Sequence, residues 1–333
     1  EMLRSLVGSE MCIRDSYNNA QLMGKIDLPT HISTSFRFIA SISTFDYYKK
    51  DKLFSRNDKP SFNSKDERFV KLMVALPFLA NKRAEFSLGY GQLEDNYFQS
   101  SVIDFDKDRS DRSTYKLLGG SIGFYGSTLN TRQYATKGYL EKLIAQVFTG
   151  RERFEPGNPQ EGYSPSPQER QSWLQISYMK EAYHTMGPKF TLGWMAEALY
   201  SSKNFSENYT ATMMQAGEFA PTPHSKLMYN EAFRANQYVA AGIKPIYVLN
   251  DMFQFRTEFY GFTPIFPIKK NALNKAYYGK AFSRFEYMGE VSVICHLPFG
   301  AISAYVNHYS SPRREWNVGM TIGWQLFNYR FVE

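Results

Sequence analysis

No stretch of this chain carries the roughly 20 consecutive apolar residues that a helix needs to cross a bilayer, so helical membrane spanning is excluded. The mean hydropathy is low, at −0.44. Cysteine is nearly absent: Cys12 and Cys295 alone can build neither a disulfide framework nor a metal site of the usual ligand spacing. Charge of one sign is lacking too. The net +7 over 333 residues is scattered and offers nucleic acid no basic patch. No Pro/Gly/Ser-rich linker or change of composition divides the chain, which points to one large unit.

Two further absences concern the ends and the chemistry. Residues 1 to 16, EMLRSLVGSEMCIRDS, lack the apolar core and small-residue cleavage site of a signal peptide. They resemble an adaptor-derived tail of translated environmental fragments. The native barrel sequence is therefore expected over residues 17 to 333, with an N-terminal domain missing. The chain also contains no Asp-Gly pair. That matters for Gly119-Gly120-Ser121-Ile122-Gly123, which matches Gly-x-Ser-x-Gly. A nucleophile needs a sharp strand-to-helix turn, whereas Tyr115 to Tyr125 continues as a β pattern and no helix follows. Ser121 is expected to lie in a strand and do no chemistry. His308, beside Tyr309 and Ser310, reads as an interfacial residue rather than a catalytic one.

What is abundant is aromatic residue, 17% of the chain, and strict alternation. From Trp316 to Phe327, Trp316, Val318, Met320, Ile322, Trp324 and Leu326 take the even positions, opposite Asn317, Gly319, Thr321, Gly323 and Gln325. Such a strand has one apolar face and one small or polar face. With tryptophans near its ends it suits a bilayer-crossing strand. Met320→Arg is accordingly expected to impair assembly much more than Thr321→Arg.

The pattern recurs. Ala20, Leu22, Gly24, Ile26 and Leu28 share a face, as do Phe36, Phe38, Ala40 and Ile42, then Val70, Leu72, Val74, Leu76 and Phe78, then Phe86, Leu88 and Tyr90. Short turns at Pro29-Thr30 and Asn81-Lys82-Arg83 alternate with long polar segments at 46–67, 92–112, 150–170 and 201–237. Further strands are predicted over 113–126, 138–149, 171–182, 189–200, 238–249, 252–260, 283–298 and 300–309. This predicts an all-β fold, an antiparallel transmembrane β-barrel of about 16 strands in a bacterial outer membrane, with short periplasmic turns and long outer loops. Arg37, Lys71, Glu197, Arg256, Glu258, Arg284, Glu286 and Glu290 would then face the lumen.

The segment Ser127 to Phe148 is the most specific. Thr128, Leu129, Asn130, Tyr134, Thr136, Lys137 and Gly138 resemble the Thr-Leu-Asn…Tyr-x-Thr-x-Gly turn that precedes an alternating strand in barrels of the bacterial surface-antigen superfamily, with Ala135 in place of the usual proline. That superfamily includes the outer-membrane assembly factor and the two-partner-secretion transporters. Phe148 to Glu152, Phe233 to Tyr247 and the terminal strand resemble the C-terminal barrel of Bacteroidetes-type patatin-like phospholipases. The resemblance implies a non-enzymatic barrel that anchors or translocates a patatin-like lipid acyl hydrolase domain absent from this chain. No cofactor is expected. Its partners would be that domain and outer-membrane lipids, lipopolysaccharide among them. The alternatives are a protein-insertion or secretion pore of the same superfamily, a soluble β-sandwich, and a barrel enzyme using Ser121 or His308.

The resemblance also implies an arginine loop folded into the lumen. Arg234, in Phe233-Arg234-Ala235-Asn236, is the candidate, with Glu258, Glu286 or Glu290 as its partner. Arg234→Ala should lower the unfolding temperature and Lys203→Ala, in the same loop, should not.

Overall fold

The computed structural model describes residues 4–14, 17–28, 34–47, 63–99, 109–158, 170–298, 300–311, 316–323 and 329–332, with the backbone alone for 4–14, 17 and 227. The first nine strands are β1 (Arg4–Arg14), β2 (Tyr17–Leu28), β3 (Thr34–Tyr47), β4 (Asn63–Leu79), β5 (Lys82–Tyr97), β6 (Asp111–Ser127), β7 (Gly138–Glu155), β8 (Gln171–Thr185) and β9 (Phe190–Ser201). Then follow helix α1 (Tyr209–Gln215) and the paired short strands β10 (Gly217–Glu218) and β11 (Arg234–Ala235). The wall resumes with β12 (Gln237–Val248) and β13 (Phe253–Pro264), is interrupted by the ribbon β14 (Ile268–Lys270) and β15 (Ala276–Tyr278), and finishes with β16 (Glu286–Leu297), β17 (Gly300–Tyr309) and β18 (Trp316–Gly323).

Fourteen of these strands form one antiparallel meander, each wall strand paired with the next. At one end the connections are mostly short, at 80–81, 186–189, 249–252 and 298–299, with 128–137 longer, and the longest connections, 202–236 and 265–285 among them, lie at the other end. The segments read as polar loops at 46–67 and 92–112 are partly strand. Lys65 pairs with Asp95 and Asp66 with Glu94, because a barrel strand continues its ladder beyond the apolar band with polar residues. Fourteen wall strands are seen among the described residues, and residues 202–236 and 265–285 between them fold as small structures of their own. Residues 324–327 of the terminal stretch lie outside the described residues, and β18 is seen to Gly323.

The two faces of the sheet invert the arrangement of a water-soluble protein. Leu72, Leu88, Val147 and Phe259 point outward and are exposed, as are Val318, Met320 and Ile322 at 69%, 57% and 67%. Lys71, Glu85, Gln146, Lys244, Arg256, Glu258 and Glu290 point inward and are buried. An apolar outer band over a polar interior is the pattern of a lipid-embedded barrel. No helix among the described residues is long and apolar enough to cross a membrane.

The sheet is rolled around a filled lumen. Tyr134, between β6 and β7, hydrogen-bonds Ser303 on β17, far away in the strand order. The two largest apolar clusters among the described residues lie in the interior. One joins Phe219 and Phe233 of the 202–236 loop to Tyr238, Tyr260, Phe262, Met288 and Tyr309 of the wall. The other joins Phe331 to Phe69, Leu93, Tyr115, Leu117, Phe148 and Trp173.

Candidate functional site: a latch across the lumen

The β6–β7 turn carries the seven motif residues, and each has a local task. The Asn130 side-chain oxygen accepts from the backbone N–H groups of Thr136 and Lys137, both at 3.0 Å, and its amide donates to Thr136 Oγ1 at 3.0 Å. Thr128 Oγ1 accepts from the Tyr139 N–H at 3.1 Å. Gly138 has φ +88°, and a Cβ there would collide with the Thr128 carbonyl. Glycine is the residue that this left-handed position favours. Leu129 packs at the edge of the Ala135, Tyr183 and Ile246 cluster.

With the turn so closed, Tyr134 and Ala135 are pushed into the lumen, where both are buried. Tyr134 also has a positive φ, 58°. Arg256 on β13 donates to the Ala135 carbonyl at 3.0 Å, and Gln254 donates to the Tyr134 carbonyl at 3.2 Å. The Tyr134 hydroxyl donates to Ser303 Oγ at 3.0 Å.

The long 202–236 connection descends from the opposite end. Its helix α1 is capped by Asn208, whose side chain accepts from the Ala211 N–H at 2.9 Å while its amide donates to the Tyr97 hydroxyl at 2.7 Å. Lys65 donates to the Met214 carbonyl near the helix C-terminus at 3.3 Å, an end-of-helix acceptor that it shares with Arg234. Beyond β10 the chain reaches Thr222 and His224. His224 Nδ1 lies 2.7 Å from Glu290 Oε1, Nε2 lies 3.1 Å from Ser303 Oγ, and the ring stacks on Tyr305. Thr222 Oγ1 donates to Glu290 Oε2 at 3.0 Å. The turn and the loop thus enter from opposite ends and meet at Ser303, where His224 Nε2 also lies 3.4 Å from the Tyr134 hydroxyl.

Ser303, His224 and Glu290 stand in the serine, base and orienting-acid order of a hydrolase triad, at matching distances. The surroundings oppose that chemistry. Ser303 is fully buried in an extended strand, its Oγ also bonds Tyr134 and Thr321, and the ladder pairs it with Ile294 on one side and Thr321 on the other. The Ser303 hydroxyl is thus already ringed by Tyr134, His224 and Thr321, whereas a nucleophile needs an exposed hydroxyl on a sharp turn. The geometry is that of a structural latch. Nothing in the sequence flagged His224, because its two partners lie 66 and 79 residues away.

Arg234 is buried, 4% exposed, but its partner is Glu218 rather than Glu258, Glu286 or Glu290. Nη2 sits 2.8 Å from Glu218 Oε2, Nη1 donates to the Met214 and Ala216 carbonyls, and the guanidinium lies 4.7 Å from the Tyr229 ring centroid. The register of β10 with β11 puts residues 218 and 234 directly opposite each other. The three wall glutamates are engaged elsewhere: Glu258 by Arg256 at 2.9 Å, Glu286 by Arg284 at 2.7 Å, and Glu290 by the latch. Lys203 also departs from expectation. It is buried against Tyr115 and Trp173, 4.5 and 4.9 Å from their ring centroids, and donates to Gln215 at 3.2 Å. Burial draws its pKa down to about 8, against Glu152 and Asp95, which favour the charged form.

Ser121 lies inside β6, bonded side chain to side chain with Ser87 across the ladder at 2.6 Å, with strand on both sides. His308 stacks on Trp316 at the edge of the wall. No three His, Cys, Asp or Glu residues among those described are arranged to hold a metal ion.

No family model matches the chain, and no curated protein matches it. Solved structures do. BamA from Haemophilus ducreyi lacking POTRA domains 1-3 is similar at TM-score 0.60 and 12% identity, over 95% of this chain and 63% of that one. CdiB from Acinetobacter baumannii is similar at TM-score 0.47 and 9% identity, over 96% and 58%, and the ferric preacinetobactin receptor BauA of the same organism at TM-score 0.43 and 9%, over 92% and 49%. The last two are too loose to bear on the fold. The chain spans less than two thirds of the BamA chain it matches, and the likeness speaks to fold: a bacterial outer-membrane β-barrel.

Proposed function

We propose that this chain is a loop-plugged barrel of the surface-antigen superfamily, the membrane anchor and translocator of a patatin-like lipid acyl hydrolase. The observation that carries the reading is the latch. The motif turn brings Tyr134 to Ser303 and the inward loop brings His224 to the same serine, and a barrel braced in this way suits a membrane anchor. The residues resembling patatin-linked barrels, Phe148 to Glu152 and Phe233 to Tyr247, supply the link to the hydrolase. The test is the coding sequence upstream of residue 17. It should encode a Gly-x-Ser-x-Gly elbow followed by a helix and a later Asp-Gly, and the whole protein should cleave phospholipid esters with that serine, not Ser121. Likeness to BamA supports a second reading, a protein-insertion or secretion barrel. Periplasmic modules of another kind upstream, with no lipid cleavage, would decide for it.

A further inference from the structure

Outside the latch, the interior of β3 to β8 carries a second built feature. Gly89 and Gly91 on β5 leave a hollow in the lumen that the Phe331 ring fills, and beside it the space at Gly119 on β6 is taken by Phe148, with Phe331 next. A Cβ on Gly91 would lie 2.9 Å from that ring and one on Gly89 3.1 Å from it. Glycine inside a strand weakens it and marks close approach of another group. The rings of Phe69 and Phe148 flank Phe331 at 5.9 and 5.7 Å between centroids, and Phe148 stacks on Trp173. Polar side chains hold the same segment, two of them by its backbone. Glu67 accepts the Phe331 N–H, Lys71 donates to the Arg330 carbonyl at 3.1 Å, and Arg37 donates to the Tyr329 hydroxyl at 3.3 Å. Arg37 lies toward the short-turn end of its strand and Glu67 toward the long-loop end, so Tyr329–Val332 ascends the lumen from the short-turn end.

A hollow for one ring, flanked by groups that hold main chain, is the arrangement by which extended peptides are recognised: backbone contacts supply affinity and a side-chain pocket supplies selectivity. We propose that this inner wall is a peptide-recognition site for an extended segment bearing an aromatic side chain, and that Tyr329–Val332 fills it in cis as a displaceable plug. The ligand class is a short peptide in extended conformation that carries an aromatic side chain. The inference requires the barrel fold and stands apart from the hydrolase reading.

The full chain and its Phe331→Ala variant, both as folded barrels in detergent micelles, are titrated calorimetrically with the capped tetrapeptides Tyr-Arg-Phe-Val and Tyr-Arg-Ala-Val. The variant should bind the phenylalanine peptide at least tenfold more tightly than the native chain does, and at least tenfold more tightly than it binds the alanine peptide. Equal affinity of the variant for both peptides, or no binding to a folded variant, overturns the proposal. An independent measurement uses Phe331→Cys with Gly91→Cys in a full chain carrying Cys12→Ser and Cys295→Ser. Oxidation should cross-link the pair in the membrane-inserted barrel. A folded, heat-modifiable barrel that never cross-links puts the segment outside the lumen and overturns the proposal as well.

Discussion

Arg234 closes the base of the inward loop, since one guanidinium ties Glu218 to two carbonyls at the end of α1. Its removal leaves the Glu218 carboxylate, whose side chain is 15% exposed, without its cation. Breaking a buried pair in this way costs about 3 kcal/mol. Arg234→Ala should therefore lower the unfolding temperature clearly. Glu218→Gln should do much the same, and the double variant should be little worse than either single one, as expected of residues coupled through one contact. Full additivity would mean that the pair does not act as a unit. Lys203, the expected bystander, makes a different prediction. Unfolded, it holds its proton to about 10.5, and folded only to about 8. Between those values the unfolded chain binds more protons, so its contribution to stability rises with pH across that window and is least favourable below about 8. Lys203→Met should flatten the rise in denaturant midpoint between pH 8 and 10.5 relative to the native chain. An unchanged slope would mean that Lys203 keeps its proton in the folded barrel.

At the scale of elements, the β6–β7 turn converts a local sequence signature into a contact across the molecule. Tyr134→Phe keeps the ring and loses the hydroxyl bond to Ser303, a loss of about 1 kcal/mol. Gly138→Ala is expected to be worse, because φ +88° strains any L side chain and the new Cβ meets the Thr128 carbonyl. Thermal melts of the two variants in one detergent rank them, and a milder Gly138→Ala would mean that the turn is free to open. The turn could be read in the sequence because Asn130, Thr136 and Gly138 act on neighbours within about one turn's length. The latch could not. Alternation says that Glu290 and Ser303 face inward, but not that His224 descends a loop to meet them. The Arg234 partner was missed for a related reason: the wall glutamates were conspicuous, while Glu218 becomes the opposite residue only once β10 and β11 pair. The strand ends at 63–67 and 92–97 were hidden by their polarity, since a ladder of Lys65 with Asp95 carries no apolar signal.

For the whole molecule, the decisive relation is between alternation and solvent. Period-two patterning alone suits a sandwich equally well. What separates the readings is which face the loops cover, and in this chain they cover the polar one, filling the lumen and leaving Val318, Met320 and Ile322 outside. Depth on that outer face can be tested. Met320 pairs with Ala304, near the middle of β17, whereas Trp316 pairs with His308 near the long-loop end. An arginine on the lipid face costs about 2–4 kcal/mol at the bilayer midplane and about 0–1 kcal/mol near an interface. Thr321 no longer serves as the tolerant comparison, because it bonds Ser303 within the latch. Met320→Arg should therefore sharply reduce the heat-modifiable barrel recovered from membranes, and Trp316→Arg should reduce it only slightly, despite losing the stack on His308. In water both positions would accept arginine with little effect. Equal recovery of the two variants would mean that no bilayer surrounds this face, and the apolar band would then need a protein partner to cover it.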